Sequence, residues 1–386
     1  MKSREIGALT SRQRDRLRVA VVAPPWYRVP PRAYGGTEAV CAGLVDGLAA
    51  LGHDVVLIGA GEDLTSATFH PTFASAPSDQ LGEPLPEVLH AAATARVLAD
   101  MSVDLVHDHS LAGPLSARGR SVPTVVTSHG TVTEEPGRYY RELGDTVRLV
   151  AISDAQRLLA PELPWAATIY NGVDVASYPF QDTKSDYVLF LGRFCAEKGA
   201  HLAIDAARAA GRRIVLAGKC HEAVERSYFG AEIEPRLGPG VHFFGEADAT
   251  AKRALLAGAS CLLFPIRWDE PFGMVMIEAL ACGTPVVALR RGSVPEIITE
   301  GVSGYVCEEP EELPAAMNRV DRLDPAACRA VAELWFSTAT MARRYETVYR
   351  RVLTDGRRCS PEGVVSPDRA TGRLVRAPVP RQAAGS

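Results

Sequence analysis

Hydrophobic and polar positions along this chain follow two rhythms. Short continuous apolar runs alternate with longer stretches in which apolar residues recur three and four positions apart. The runs have the pattern of strands buried on both faces, and the longer stretches that of helices laid against them. Residues 17–23 are predicted as the first strand, stopped by Pro24-Pro25. A helix over residues 38–51 follows, with Gly52 as its stop, and then a strand at 53–59. An Ala-rich helix over 85–100 precedes strands at 103–107, 122–127 and 147–152. A helix capped by Ser153 and a strand at 167–170 complete the series. The alternation predicts a parallel sheet covered on both faces.

Polar residues 181–186 read as a linker, after which the pattern restarts. Strands are predicted at 187–192, 213–217, 241–244, 261–266 and 286–289. Helices are predicted up to Gly211, at 249–257, just after Gly273, and at 311–320, 325–334 and 338–353. The chain is therefore an α/β protein of two doubly wound, Rossmann-like halves, over residues 17–180 and 187–337. Tails at 1–16 and 355–386 lack periodicity and are expected to be disordered. Strand C-termini of the two halves face one cleft, where ligands of such folds bind.

Composition narrows the function. A chain of 386 residues is long enough for two cores, and 47% hydrophobic with 23% charged residues describes a globular protein. The net charge of −4 argues against nonspecific nucleic-acid binding. No apolar run approaches the roughly 18–20 residues of a membrane span. Residues 1–18 have no apolar segment of the secretory type. The eight cysteines show no C-x-x-C pairing, and Cys41, Cys261 and Cys282 lie in apolar runs; reduced core thiols and a cytoplasmic location are expected.

Candidate chemistry centres on residues 270–279. A loop carrying Glu270, Pro271, Phe272 and Gly273 feeds a short apolar helix that carries Glu278. Helix openings leave backbone N–H groups unpaired and favour negative charge, and a glycine lets a phosphate approach closely. Two carboxylates flanking an anion site suit a ligand that is both phosphorylated and rich in hydroxyls, such as a nucleotide sugar. Arg193 and Lys198 follow a strand at its ligand-facing end, and Gly35-Gly36 lies at the first strand-to-helix turn. The full G-x-G-x-x-G pattern is missing, so a dinucleotide site is not supported. His107 and His109 form a two-ligand pair without a third, and no metal is expected.

The stretch Glu270-Pro271-Phe272-Gly273 with Glu278 resembles the Glu-x7-Glu signature of retaining glycosyltransferases, in particular family 4 enzymes of the GT-B fold. Leu191-Gly192-Arg193 with Glu197-Lys198-Gly199 resembles that family's diphosphate-binding loop. Ser128-His129-Gly130 resembles its Thr/Ser-His-Gly element, and Gly35-Gly36 its glycine-rich loop. The resemblance covers residues 17–353 and implies that helix 338–353 crosses back onto the first half. It assigns Arg193, Lys198 and the backbone at Gly273, Met274 and Val275 to the diphosphate. Glu278 falls to the ribose, Gly245 and Glu246 to the base, and Glu270 with the Phe272 and Gly273 backbone to the donor sugar. His129 points at that sugar, and His109, Trp26 and Tyr27 fall on the acceptor side. Arg267-Trp268-Asp269 departs from the smaller residues of many relatives and bears on donor choice.

The implied reaction moves a hexose from a nucleoside diphosphate sugar, UDP before GDP, to a hydroxyl acceptor with retention. Attack comes from the face the diphosphate leaves, without metal or cofactor, and the partners are small molecules. Competing readings are a nucleotide-sugar epimerase of similar plan, a nicotinamide-dependent dehydrogenase and a catalytically silent sugar-nucleotide binder. The first would need acid/base side chains beside the sugar, the second the missing glycine fingerprint, and the third the loss of Arg193, Lys198, Glu270 or Glu278.

Overall fold

The computed structural model describes residues 16–32, 35–62 and 64–358. The disorder expected for residues 1–15 and 359–386 lies outside the described residues. Two parallel sheets carry the chain. The first has the order β3-β2-β1-β4-β5-β6-β7, with β1 Arg18–Val22, β2 Asp54–Ala60, β3 Thr68–Phe73, β4 Leu105–Asp108, β5 Thr124–Thr127, β6 Arg148–Ala151 and β7 Trp165–Thr168. The second has the order β10-β9-β8-β11-β12-β13, with β8 Val188–Leu191, β9 Ile214–Ala217, β10 Val241–Gly245, β11 Cys261–Phe264, β12 Val286–Leu289 and β13 Gly304–Cys307. Central strands are the apolar runs seen in the sequence; Val19 to Val22 are fully buried because helices cover both faces.

Helices of the first half are α1 Gly36–Ala50, α2 Pro84–Ala99, α3 Glu134–Leu143 and α4 Asp154–Leu159. The second half carries α5 Ala200–Ala209, α6 Ala223–Tyr228, α7 Ala249–Gly258, α8 Met274–Ala281, α9 Val294–Ile297, α10 Leu313–Met317 and α11 Pro325–Trp335, before α12 Thr338–Arg358. Ser153 caps α4, its hydroxyl accepting from the Gln156 N–H at 3.0 Å.

The structure corrects several expectations. β3 does not follow an apolar run, because an edge strand containing Pro71 has no need of one. β13, α3, α6 and α9 are likewise added. The helix expected over 311–320 is only α10 with 3-10 turns on either side. The final helix continues to Arg358, where a break at residue 355 was expected.

That helix packs along α1 and closes the first core with Tyr345 and Tyr349, both fully buried. Their hydroxyls reach the sheet: Tyr349 meets His107 Nδ1 at 2.7 Å and Tyr345 meets Thr127 Oγ1 at 2.8 Å. Contact this close depends on glycines. A Cβ at Gly43 would lie 2.7 Å from Thr338 Cγ2, and one at Gly47 2.8 Å from Ala342 Cβ. In each sheet the strand order reverses at the first strand, between β1 and β4 and between β8 and β11. A cleft opens outside the strand C-termini at such points.

Candidate active site

Two neighbouring chambers with shared wall residues lie in that cleft. The first, about 430 Å³, is lined by Gly35 and Gly36 from one half and by Arg193, Lys219, Glu246, Lys252, Met274, Val275 and Glu278 from the other. The second, about 350 Å³, is lined by Trp26, Tyr27, Glu38, His129, Glu270, Phe272 and Gly273. Gly35, Gly36 and Met274 belong to both walls. Gly245 lies one residue before the lining Glu246, which His221 Nε2 meets at 3.1 Å.

The α8 N-terminus forms the partition. Gly273 caps it at φ 77°, a left-handed conformation that strains any residue with a Cβ. A Cβ there would lie 2.8 Å from Met276 Cε and 3.2 Å from Phe264. The bare backbone leaves the first N–H groups of α8 open to an anion. The two glutamates flank this opening, each already engaged by a cation and an aromatic donor. Glu278, nearly buried, accepts from Lys252 Nζ at 2.6 Å and Tyr178 OH at 3.0 Å. Glu270 accepts from Lys198 Nζ and from Trp268 Nε1, the latter at 2.9 Å. Lys198 follows Gly192 and Arg193 on the loop that leaves β8, and the Arg193 guanidinium lies 3.7 Å from buried Glu225. Sequence reasoning grouped Arg193, Lys198, Glu270 and Glu278 as ligand contacts; the pairing of Arg193 with Glu225, of Lys198 with Glu270, and of Glu278 with Lys252 and Tyr178 depends on elements far apart in the chain, whereas Trp268 lies on the same loop, two residues before Glu270.

The histidines divide by role. His107 is fully buried between Tyr349 and Thr127, so it does not form a metal pair with His109. Among the described residues no group of three or more His, Cys, Asp and Glu side chains is placed to hold a metal ion. His129 reaches the second chamber, and its Nε2 lies 2.8 Å from Nδ1 of His109. His109 is buried behind it and lines neither chamber. Burial pulls the His129 imidazole down to about 4, so the ring is neutral at pH 7.

Models of two families match consecutive parts of this chain: Glycosyltransferase Family 4 over residues 34–177 and Glycosyl transferases group 1 over residues 178–328. The crystal structure of AviGT4, a glycosyltransferase involved in Avilamycin A biosynthesis, is 30% identical. That alignment covers 88% of this chain and 98% of the other, with a TM-score of 0.67. The chain belongs to glycosyltransferase family 4. Its fold is GT-B, and it is an enzyme that transfers sugar from a nucleotide sugar. Glycogen synthase of Mycobacterium tuberculosis is 28% identical over 389 residues, covering 83% of this chain and 91% of that one. The phosphatidyl-myo-inositol mannosyltransferase of Mycobacterium leprae is 27% identical over 380 residues, covering 88% and 98%. Among the described residues no helix is long and apolar enough to cross a membrane.

In this glycosyltransferase two further carboxylates shape the loop over the second chamber. Buried Glu87 accepts from the Trp26 indole and from the N–H groups of Leu111 and Ala112 at 3.2 and 3.3 Å. Buried Glu38, in the first turn of α1, accepts from the Tyr27 N–H. Neither role was read from the sequence, where Glu38 was only a helix start and Glu87 one polar residue in an Ala-rich helix.

Burial raises the Glu38 carboxyl from 4.5 to about 7. Between these values the folded protein keeps a proton that the unfolded chain has lost, so this group's contribution to stability falls as pH rises and levels off above about 7. Glu38→Gln keeps an acceptor for Tyr27 and abolishes that dependence. Calorimetry at pH 5 and pH 8 is expected to show a gain in Tm for the variant that is larger at pH 8.

At the first chamber, Lys252→Ala is expected to weaken donor binding ~10-fold or more, since a hydrogen bond to a charged group is worth roughly 1.5–3 kcal/mol. The change should appear in the donor KM, with kcat within a few-fold of wild type.

Proposed function

We propose that the enzyme transfers a hexose from a nucleoside diphosphate hexose, a UDP-sugar first and a GDP-sugar second, to a hydroxyl acceptor with retention and without a metal. The observation that carries this reading is the pair of cation-held carboxylates on either side of the α8 N-terminus. The diphosphate lies against the open N–H groups of Gly273, Met274 and Val275, with Arg193 and Lys198 beside it. Glu278 grips the ribose in the first chamber, and Glu246 lies at the base.

The hexose extends into the second chamber, where Glu270 takes its hydroxyls and neutral His129 adds a hydrogen bond. As the glycosidic bond breaks, charge grows on the leaving diphosphate and the two cations interact more strongly with it than in the ground state. The acceptor enters past Trp26 and Tyr27 and attacks from the face the diphosphate leaves. A phosphate oxygen of the donor takes its proton, so no carboxylate serves as general base. Catalysis is then mainly positioning and charge stabilisation. Cations supplied by the protein do the work of a divalent ion.

A thermal-shift panel of UDP-, GDP- and ADP-hexoses, each with and without EDTA, tests the donor and the metal together. Saturation at about 100 times Kd adds roughly 2.7 kcal/mol of stability. The expected result is a rise in Tm with one nucleotide, unchanged by EDTA. Stabilisation by none of them would overturn the donor assignment, and loss of the shift in EDTA would overturn metal independence. The anomeric coupling in the NMR spectrum of the product decides between retention and inversion.

A further inference from the structure

Helix α2 packs Val97 and Leu98 onto the sheet but turns its other large apolar side chains outward. Its buried positions are Pro86, Glu87, His90 and Thr94, whereas Leu85, Val88, Leu89 and Ala92, at the spacing of one helical face, are exposed. Two of the inward polar side chains are occupied: Glu87 holds Trp26, and His90 meets Thr72 Oγ1 at 2.8 Å. The outward face has no such account. Leu85, Val88 and Leu89 are between 50% and 61% exposed, and Ala95 and Ala99 continue the stripe. Leu111 and Leu115, from the segments packed beside α2, are 61% and 65% exposed and widen it.

We propose that this face binds the same face of a second copy of the chain, with the two α2 helices antiparallel about a two-fold axis near Leu89. The face is self-complementary in shape and in charge. Antiparallel pairing about that axis sets Leu85 over Ala95 and Val88 over Ala92, large side chains against small ones, with Leu89 near its own copy. It also sets Glu83, the exposed N-cap residue, beside Arg96 in the last turn. Among the described residues neither Glu83 nor Arg96 forms an ion pair within its own chain. Two-fold symmetry makes that contact twice, and a closed isologous interface leaves no apolar stripe exposed.

A bilayer fits the face less well. Arg96 is the only Lys or Arg of the helix, and attachment to an anionic membrane draws on several basic residues beside the apolar ones. A helix of this length spans ~24 Å. The contact therefore falls in the small class of interfaces, and association is reversible with Kd in the ~1–50 µM range.

Sedimentation equilibrium of the full chain from ~1 to ~200 µM tests the proposal. The expected mass rises with concentration from 41.4 kDa toward twice that value. Leu85→Glu with Leu89→Glu should hold it at the monomer value; both side chains are exposed, so the fold is retained, as circular dichroism and Tm will confirm. Glu83→Arg and Arg96→Glu are each expected to weaken association ~5-fold or more, and the double variant to restore it to within ~2-fold. A monomer at every concentration overturns the proposal. So does a dimer indifferent to all these changes, or flotation of a monomeric protein with phosphatidylglycerol vesicles that is lost in Leu85→Glu/Leu89→Glu.

Discussion

Glu270→Ala is expected to lower kcat by at least ~100-fold, the scale of removing one preorganised polar contact to a transition state. In the folded enzyme this carboxylate takes both Lys198 and the Trp268 indole, and it lines the chamber proposed for the donor sugar. On the proposed mechanism its loss removes the grip on the sugar hydroxyls and releases Lys198 toward the diphosphate. Donor KM should therefore stay level or fall while kcat collapses, a split that a general loss of binding does not give. Lys198→Ala should cost a similar factor in kcat. The double variant should be little worse than the poorer single one, since the residues act as a unit. Near-normal turnover in both single variants would remove Glu270 and Lys198 from the chemistry. Unchanged Tm in both is the control that the scaffold survives.

Gly218→Ala is expected to be the most damaging conservative change in the donor half. Gly218 follows β9 at φ 153°, its N–H donates to the Gly245 carbonyl at 2.8 Å, and a Cβ would lie 1.7 Å from the Gly192 carbonyl oxygen. That oxygen is main chain at the end of β8 and cannot swing aside, so the ends of β8, β9 and β10 must separate. They carry Arg193, Lys219 and Glu246, all of which line the first chamber. Strain of ~3 kcal/mol or more is expected, lowering Tm by ~6–12 °C for domains of this size. The stabilisation by the donor nucleotide should vanish with it. Gly52→Asn is the control: φ is 92° there, nothing lies within 4 Å of the added Cβ, and a change of no more than ~1 kcal/mol is expected. Equal Tm values for the two variants would mean that the close approach at Gly218 carries no load.

Much of this architecture was legible along the chain because parallel strands covered on both faces must be continuously apolar. Runs such as Val19 to Val22 or Cys261 to Phe264 have few other uses. Edges escape that requirement. β3, with Thr68, His70 and Pro71, offered no run to find. In α2 the Ala-rich pattern named no buried face: Val97 and Leu98 pack on the sheet, while Leu85, Val88 and Leu89 face outward and Glu87 faces Trp26.

The formation of two doubly wound halves, and the bracketing of a helix opening by Glu270 and Glu278, were readable along the chain. Both follow from local rules, the period of a buried strand and the geometry of one loop running into one helix. What those groups touch emerges only when the elements pack together. Lys252 with Glu278, Lys198 with Glu270, His109 with His129 and Tyr349 with His107 are separated by 26, 72, 20 and 242 residues. Contacts of that kind leave no periodic trace, because a side chain's partner is fixed by how whole elements pack and burial sets its charge state only after packing is complete.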